Sequence, residues 1–117
     1  MNVLHLTLKK KWFDMIASGE KKEEYRECKP YWIHRLTWHE YHHLTINELE
    51  KFSPKQVPFK TTFYDVIKFR NGYSSDAPFI LCDLLEISIG NGKYKWGATD
   101  KCFIIKLGKI ITKPQNL

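Results

Sequence analysis

The spacing of apolar positions switches between two and about 3.6 residues along the chain, and each switch predicts an element. Val3 to Thr7 alternates, with Leu4, Leu6 and Leu8 on one side, and predicts a first strand. Thr7 then stands where its hydroxyl can cap a following helix. Leu8, Trp12, Phe13, Met15 and Ile16 share one arc of a helical wheel, opposite Lys10, Asp14 and Ser18. Gly19 predicts the stop, because helices commonly end on a residue of positive φ. Lys9 breaks the pattern. It falls inside the apolar arc at the helix start, where a cation opposes the macrodipole, so it either snorkels or points into a pocket.

Pro30 suits the first turn of a second helix through PYWIHRLTW, with Trp32 and Leu36 one turn apart. Thr45 and Glu48 have capping-box spacing, and Pro54 and Pro58 stop any long helix beyond them. From Tyr64 the pattern turns to strands. TTFYDVIKF reads as one, ended by the turn pair Asn71-Gly72. FILCDLLEISI, residues 79–89, is the strongest, and Asn91-Gly92 can turn it back towards Lys93 to Trp96. KCFIIKLGKII supplies the last, with Phe103, Ile105 and Leu107 alternating against Ile104, Lys106 and Gly108. These elements predict one α+β domain over 1–117, a small mixed sheet or partly closed β-barrel with short helices. No internal repeat or low-complexity tract divides it.

Composition narrows the class. The chain is 43 % hydrophobic and 15 % aromatic, enough for a real core and far from a disordered composition. No apolar run approaches a membrane span, and no membrane partner is expected. The amino terminus, MNVLHLTLKKK, carries its charges after its apolar residues, the reverse of a secretory leader. Cys28, Cys82 and Cys102 form no close pair, so a reducing cytoplasm is the expected location. The formal charge is +6, and residues 93–113 alone carry six basic and one acidic side chain. A basic segment of this kind favours a polyanion such as RNA, or serves solubility.

The densest chemistry lies in GEKKEEYRE, residues 19–27. In an extended chain Glu24 and Arg26 face one side and Tyr25 the other, which predicts Tyr25 as the core contact. Glu24 and Arg26 then point together at solvent or at a cleft, with Lys21 in reach. A solvated strand face would carry the same charges, with ion pairs worth little. The spacing Gly19-x-Lys21-x-x-Glu24-x-Arg26 resembles the G-x-K-x-x-E-x-R signature of the ASCH domain, a branch of the PUA-like superfamily. The likeness extends over residues 6–32, over FRNGYSSDAP at 69–78, and over the closing KCFIIKLGKII; nothing carries onto residues 33–62.

The resemblance implies a PUA-like barrel with helices at its rim and a cleft beside the signature. It also implies binding of RNA or of a modified nucleotide, in RNA metabolism or translation-linked regulation. Some relatives degrade single-stranded RNA with a divalent metal. Another branch removes an acyl group from N4-acetylcytidine, with a threonine nucleophile where this chain has Glu24. A carboxylate can act as a base towards water but cannot form the ester a threonine forms. Two readings follow for one cleft. In the binding reading Lys9, Lys21, Glu24, Arg26, Arg70 and Tyr73 contact the ligand, the basic groups on phosphate or base edges and Glu24 on a base amine. In the hydrolase reading Lys21 and Glu24 handle protons.

Further features carry weaker expectations. In NGKYKWG, Lys93 and Lys95 alternate with Tyr94 and Trp96, as a base-stacking surface or as an edge strand with both aromatics towards the core. His34, His39, His42 and His43 crowd together, and a helix would set His39 and His43 one turn apart. Their spacing lacks a closed ligand set, so no metal or other cofactor is expected. Glu86 shares the alternation of Ile80, Cys82 and Leu84, and is a candidate second acid of the cleft. Cys82 and Cys102 are expected in the core.

Overall fold

The computed structural model describes residues 1–115. Strands β1 (Val3–Thr7), β2 (Glu23–Glu27), β3 (Val66–Arg70), β4 (Phe79–Asn91) and β5 (Lys101–Thr112) form one sheet in the order β1-β3-β4-β5-β2. Helices α1 (Lys10–Ala17), α2 (Pro30–Leu36) and α3 (Ile46–Glu50) flank it, with 3₁₀ turns at His39–Tyr41 and Tyr94–Trp96. Among the described residues only β1 and β3 run parallel, and the other pairs are antiparallel. The result is an α+β domain whose mixed sheet curls into a half barrel. Among the described residues no helix is long and apolar enough to cross a membrane.

The curl has a local cause. Along β4 the buried positions run Ile80, Cys82, Leu84, then step to Ile87 and Ile89. Leu84 pairs with Leu107 and Glu86 with Lys106, so two steps on β4 answer one on β5. This bulge bends the strand and shifts its apolar face by one residue. Glu86 is thereby turned off the face it was expected to share with Leu84. It lies across from Lys106 and takes no part in the cleft described below. Gly108 lies beside the bulge, where a Cβ would meet the Leu85 side chain at 2.9 Å.

Other expectations meet the structure unevenly. The core cluster includes Leu4, Leu6, Leu8, Phe13, Ile16, Phe69, Phe103 and Ile105, as the alternations predict. Cys82 and Cys102 are buried free thiols. Helix α1 begins later than the apolar arc suggests. Its N-cap is Lys9, and no side chain caps it, so Thr7 ends β1 instead. The Thr45–Glu48 capping box forms in full. Residues 94–96 form a 3₁₀ turn rather than an edge strand, with Trp96 buried and Tyr94 exposed.

Phe103 has no exposed surface and stands in the middle of the sheet, whereas Thr45 acts through one cap. Phe103→Ala should cost about 3–5 kcal/mol, and Thr45→Ala about 1 kcal/mol. Urea denaturation measures both. Equal losses would contradict this placement of the core.

Candidate ligand-binding cleft

The site begins with the reversal after α1. Gly19 takes φ +84°, which ends the helix, and the Lys21 amide then donates to the Met15 carbonyl at 2.9 Å. The Leu107 amide donates to the Lys22 carbonyl at 3.0 Å and sets β2 against β5, with Glu24 across from Ile105. From there the pleat decides direction. Glu24 and Arg26 project to the same side, as the spacing predicts, and Arg26 Nη2 donates to Glu24 Oε2 at 2.6 Å. On the other oxygen, Lys21 Nζ approaches Glu24 Oε1 at 3.1 Å and donates to the Trp96 carbonyl at 2.5 Å.

Burial distinguishes this trio from a surface ion pair. Lys21 is 2 % exposed and Glu24 5 %. A lone charge so placed would be costly, but each is bracketed by an opposite charge and by hydrogen bonds. Lys21 Nζ also lies 4.9 Å from the Trp12 ring centre and 4.8 Å from that of Tyr25. Arg26 stacks 4.9 Å over Trp32 and donates to the Thr7 carbonyl at 3.2 Å. That last bond joins the sheet's two edge strands, β2 and β1, through a side chain.

Tyr25 departs from expectation. It is half-buried and outside the core cluster, while Glu24 and Lys21 are the buried members of the stretch. Its hydroxyl donates to Glu23 Oε1 at 2.7 Å and accepts from the Lys93 amide at 2.9 Å. The ring presses on Gly92, where any Cβ would fall 2.4 Å from it. Tyr25 thus ties β2 to the turn after β4, and burial pushes its phenol pKa up.

Above the charges opens a cleft of about 410 Å³, walled by Lys9, Trp12, Trp32, Trp96 and Gly97 with Lys21, Glu24 and Arg26 in its lining. Of the residues singled out from sequence, Lys9, Lys21, Glu24 and Arg26 meet here. Arg70 and Tyr73 do not line it. The Arg70 guanidinium turns to the Ser74 carbonyl in its own loop. Tyr73 is exposed and shares with Lys9 an adjoining depression of about 510 Å³. The tryptophan walls were not legible. The helical wheel assigns Trp12 to the core arc, and only the basic-aromatic alternation around Trp96 hinted at its neighbourhood.

The histidines gather differently from the helical expectation. The 34–42 segment breaks at Thr37, and His42 brings its ring 4.3 Å from His34 and 5.5 Å from His39, centre to centre. His43 is not part of this stack. No group of three metal-ligating side chains is assembled among the described residues.

No family model matches the chain, and no curated protein or solved structure does either.

Chemically, the enclosed Lys21 ammonium is committed to two acceptors and has little access to a substrate. The open valences lie elsewhere. Among the described residues, Arg26 Nε and Trp96 Nε1 are buried donors without a protein partner. The Glu24, Arg26 and Trp96 side chains line the same cleft. Burial holds the Lys21 pKa below its ordinary 10.5, against the pull of Glu24.

Two outcomes follow. Glu24→Ala leaves two cations without their shared anion and should cost about 3–5 kcal/mol of stability, read by denaturant melts at neutral pH. A loss below 1 kcal/mol would mean the trio is solvated. For Lys21, an amine with a lowered folded pKa binds fewer protons folded than unfolded in the alkaline range below 10.5. Its contribution to stability therefore rises with pH there. The stability of the wild type minus that of Lys21→Met should climb as pH approaches 10.5 from below. A falling difference would contradict the lowered pKa.

Proposed function

We propose that the protein is a binding module for single-stranded RNA or a modified nucleotide, with one base held in the cleft. The observation that carries this reading is the buried Glu24 carboxylate, ion-paired to Arg26, at the floor of a tryptophan-walled cleft. A carboxylate beside a guanidinium complements a base edge that presents an amine next to a carbonyl or ring nitrogen. Trp12 and Trp32 offer apolar surface for the ring, and about 410 Å³ suits a single base with part of its sugar. Lys9 at the rim can reach a phosphate.

The ASCH resemblance agrees with this reading and would make the half barrel a PUA-like fold. Lys21 acts here as a positioning group rather than a phosphate contact, because its ammonium is enclosed. A hydrolase using the same cleft is the second reading, and the 3.1 Å Lys21–Glu24 contact favours it. A carboxylate paired with a lysine of lowered pKa can handle protons for attack by water on an acylated base or a phosphodiester.

Titration calorimetry with nucleosides and fluorescence anisotropy with labelled single-stranded RNA test the proposal. RNA should bind at low salt and weaken with a slope of about 0.7 per phosphate neutralised. Arg26→Ala should weaken binding roughly tenfold, with little change for the exposed lysine variant Lys55→Ala. Glu24→Gln should change preference among bases more than the salt slope. Turnover of N4-acetylcytidine or of RNA, lost in Glu24→Gln while binding persists, would move the assignment to the hydrolase. No binding of RNA or any nucleoside at low salt would overturn both readings.

A further inference from the structure

The basic-aromatic turn at residues 93–96 is not part of the cleft floor, yet it adjoins the cleft through a shared wall. Trp12 and Gly97 line both the cleft and a second depression of about 360 Å³. This depression is lined by Lys11, Tyr94 and Lys95 beyond the same saddle. Gly97 makes the saddle low. It adopts φ +103°, and a Cβ there would meet the Trp12 ring at 3.0 Å.

The two compartments differ in charge. The cleft mixes two carboxylates, Glu24 and Glu27, with Lys9, Lys21 and Arg26, whereas the lining of the second depression contains lysines and no acid. A third depression also adjoins the cleft, and its lining mixes Glu27 and Asp100 with Arg26, Lys29 and Lys101. A nucleotide chain whose base sits against Glu24 can carry its phosphate over Trp12 and Gly97 to Lys11 and Lys95. Beyond that point stands Tyr94, 86 % exposed. The 3₁₀ turn buries Trp96 and leaves Tyr94 outside, while Lys93 and Lys95 lie 4.5 and 5.2 Å from the Trp96 ring centre. The ammonium ends of both lysines thus sit over Trp96, and Tyr94 keeps almost all of its surface. Lys11, in turn, lies 4.7 Å from the Trp12 ring centre.

We infer that Lys11, Lys95 and Tyr94 form a second nucleotide subsite, binding the phosphate next to the cleft-held base and stacking the neighbouring base on Tyr94. The inference rests on the proposed binding of a base in the cleft. It adds a length requirement: a dinucleotide is the smallest ligand that fills both compartments. Stacking on an exposed aromatic ring tolerates any base, so this subsite supplies affinity and the cleft supplies choice.

Calorimetry with the full chain compares a nucleoside, its 5′- and 3′-monophosphates, the dinucleotide and a short oligonucleotide. The dinucleotide should bind roughly tenfold tighter than the nucleoside, and Tyr94→Ala should remove most of that gain. Lys11→Gln with Lys95→Gln should lower the salt slope by about one phosphate, with nucleoside affinity unchanged. Tyr94 and the two lysines are exposed, and circular dichroism checks that the variants remain folded. A nucleoside that binds with no gain from the dinucleotide overturns the subsite and leaves the cleft reading standing. Equal loss of nucleoside and dinucleotide affinity in Tyr94→Ala also overturns it, since the residue would then act on the cleft itself. If neither ligand binds, both proposals fall together.

Discussion

A carboxylate taken out of water must be matched on each oxygen, and Glu24 is matched by Lys21 on one and Arg26 on the other. Much of the local architecture can be read as what that requirement demands. Gly19 reverses the chain so that Lys21 arrives from below, and the pleat of β2 brings Arg26 alongside. The carbonyl of Trp96 takes a second proton of Lys21, which ties the turn before β5 to the start of β2. Arg26 reaches on to Thr7 at the far edge of the sheet. Removing the carboxylate would leave two like charges close together in a region of low dielectric.

The parts legible in sequence were those governed by local rules. The alternation around Phe103, the positive φ at Gly19 and the Thr45–Glu48 cap each depend on a few neighbouring residues, and each reads directly. The same-side placement of Glu24 and Arg26 follows from the pleat alone. What local rules could not reach were effects of register and tertiary contact. The bulge after Leu84 reverses the facing of Glu86, and no residue of β4 announces it without its partner strand. Tyr25 looked like the core residue because it is the aromatic among charges. Its hydroxyl has two partners at the sheet's rim, and these keep it there.

The tryptophans illustrate a related ambiguity. An apolar arc on α1 is satisfied equally by a residue in the core and by one at the edge of a cleft. Phe13 and Ile16 take the first role, and Trp12 takes the second. Its size decides the matter. A ring that spans from the core margin to the rim can shelter Lys21 on its way and still present surface to a ligand.

The Arg26–Thr7 bond has a consequence for how the protein behaves in company. An open sheet ends in two strands whose outer backbone groups lack partners, and such edges invite a strand from another molecule. Here the edge strands are β1 and β2, and at the Thr7 end they are drawn to a common cleft whose floor is charged. A foreign strand entering that seam would have to strip the partners from Glu24 and Arg26 and leave buried ions behind. The seam of this half barrel is thus guarded against edge-to-edge aggregation by the same charges that make it a pocket.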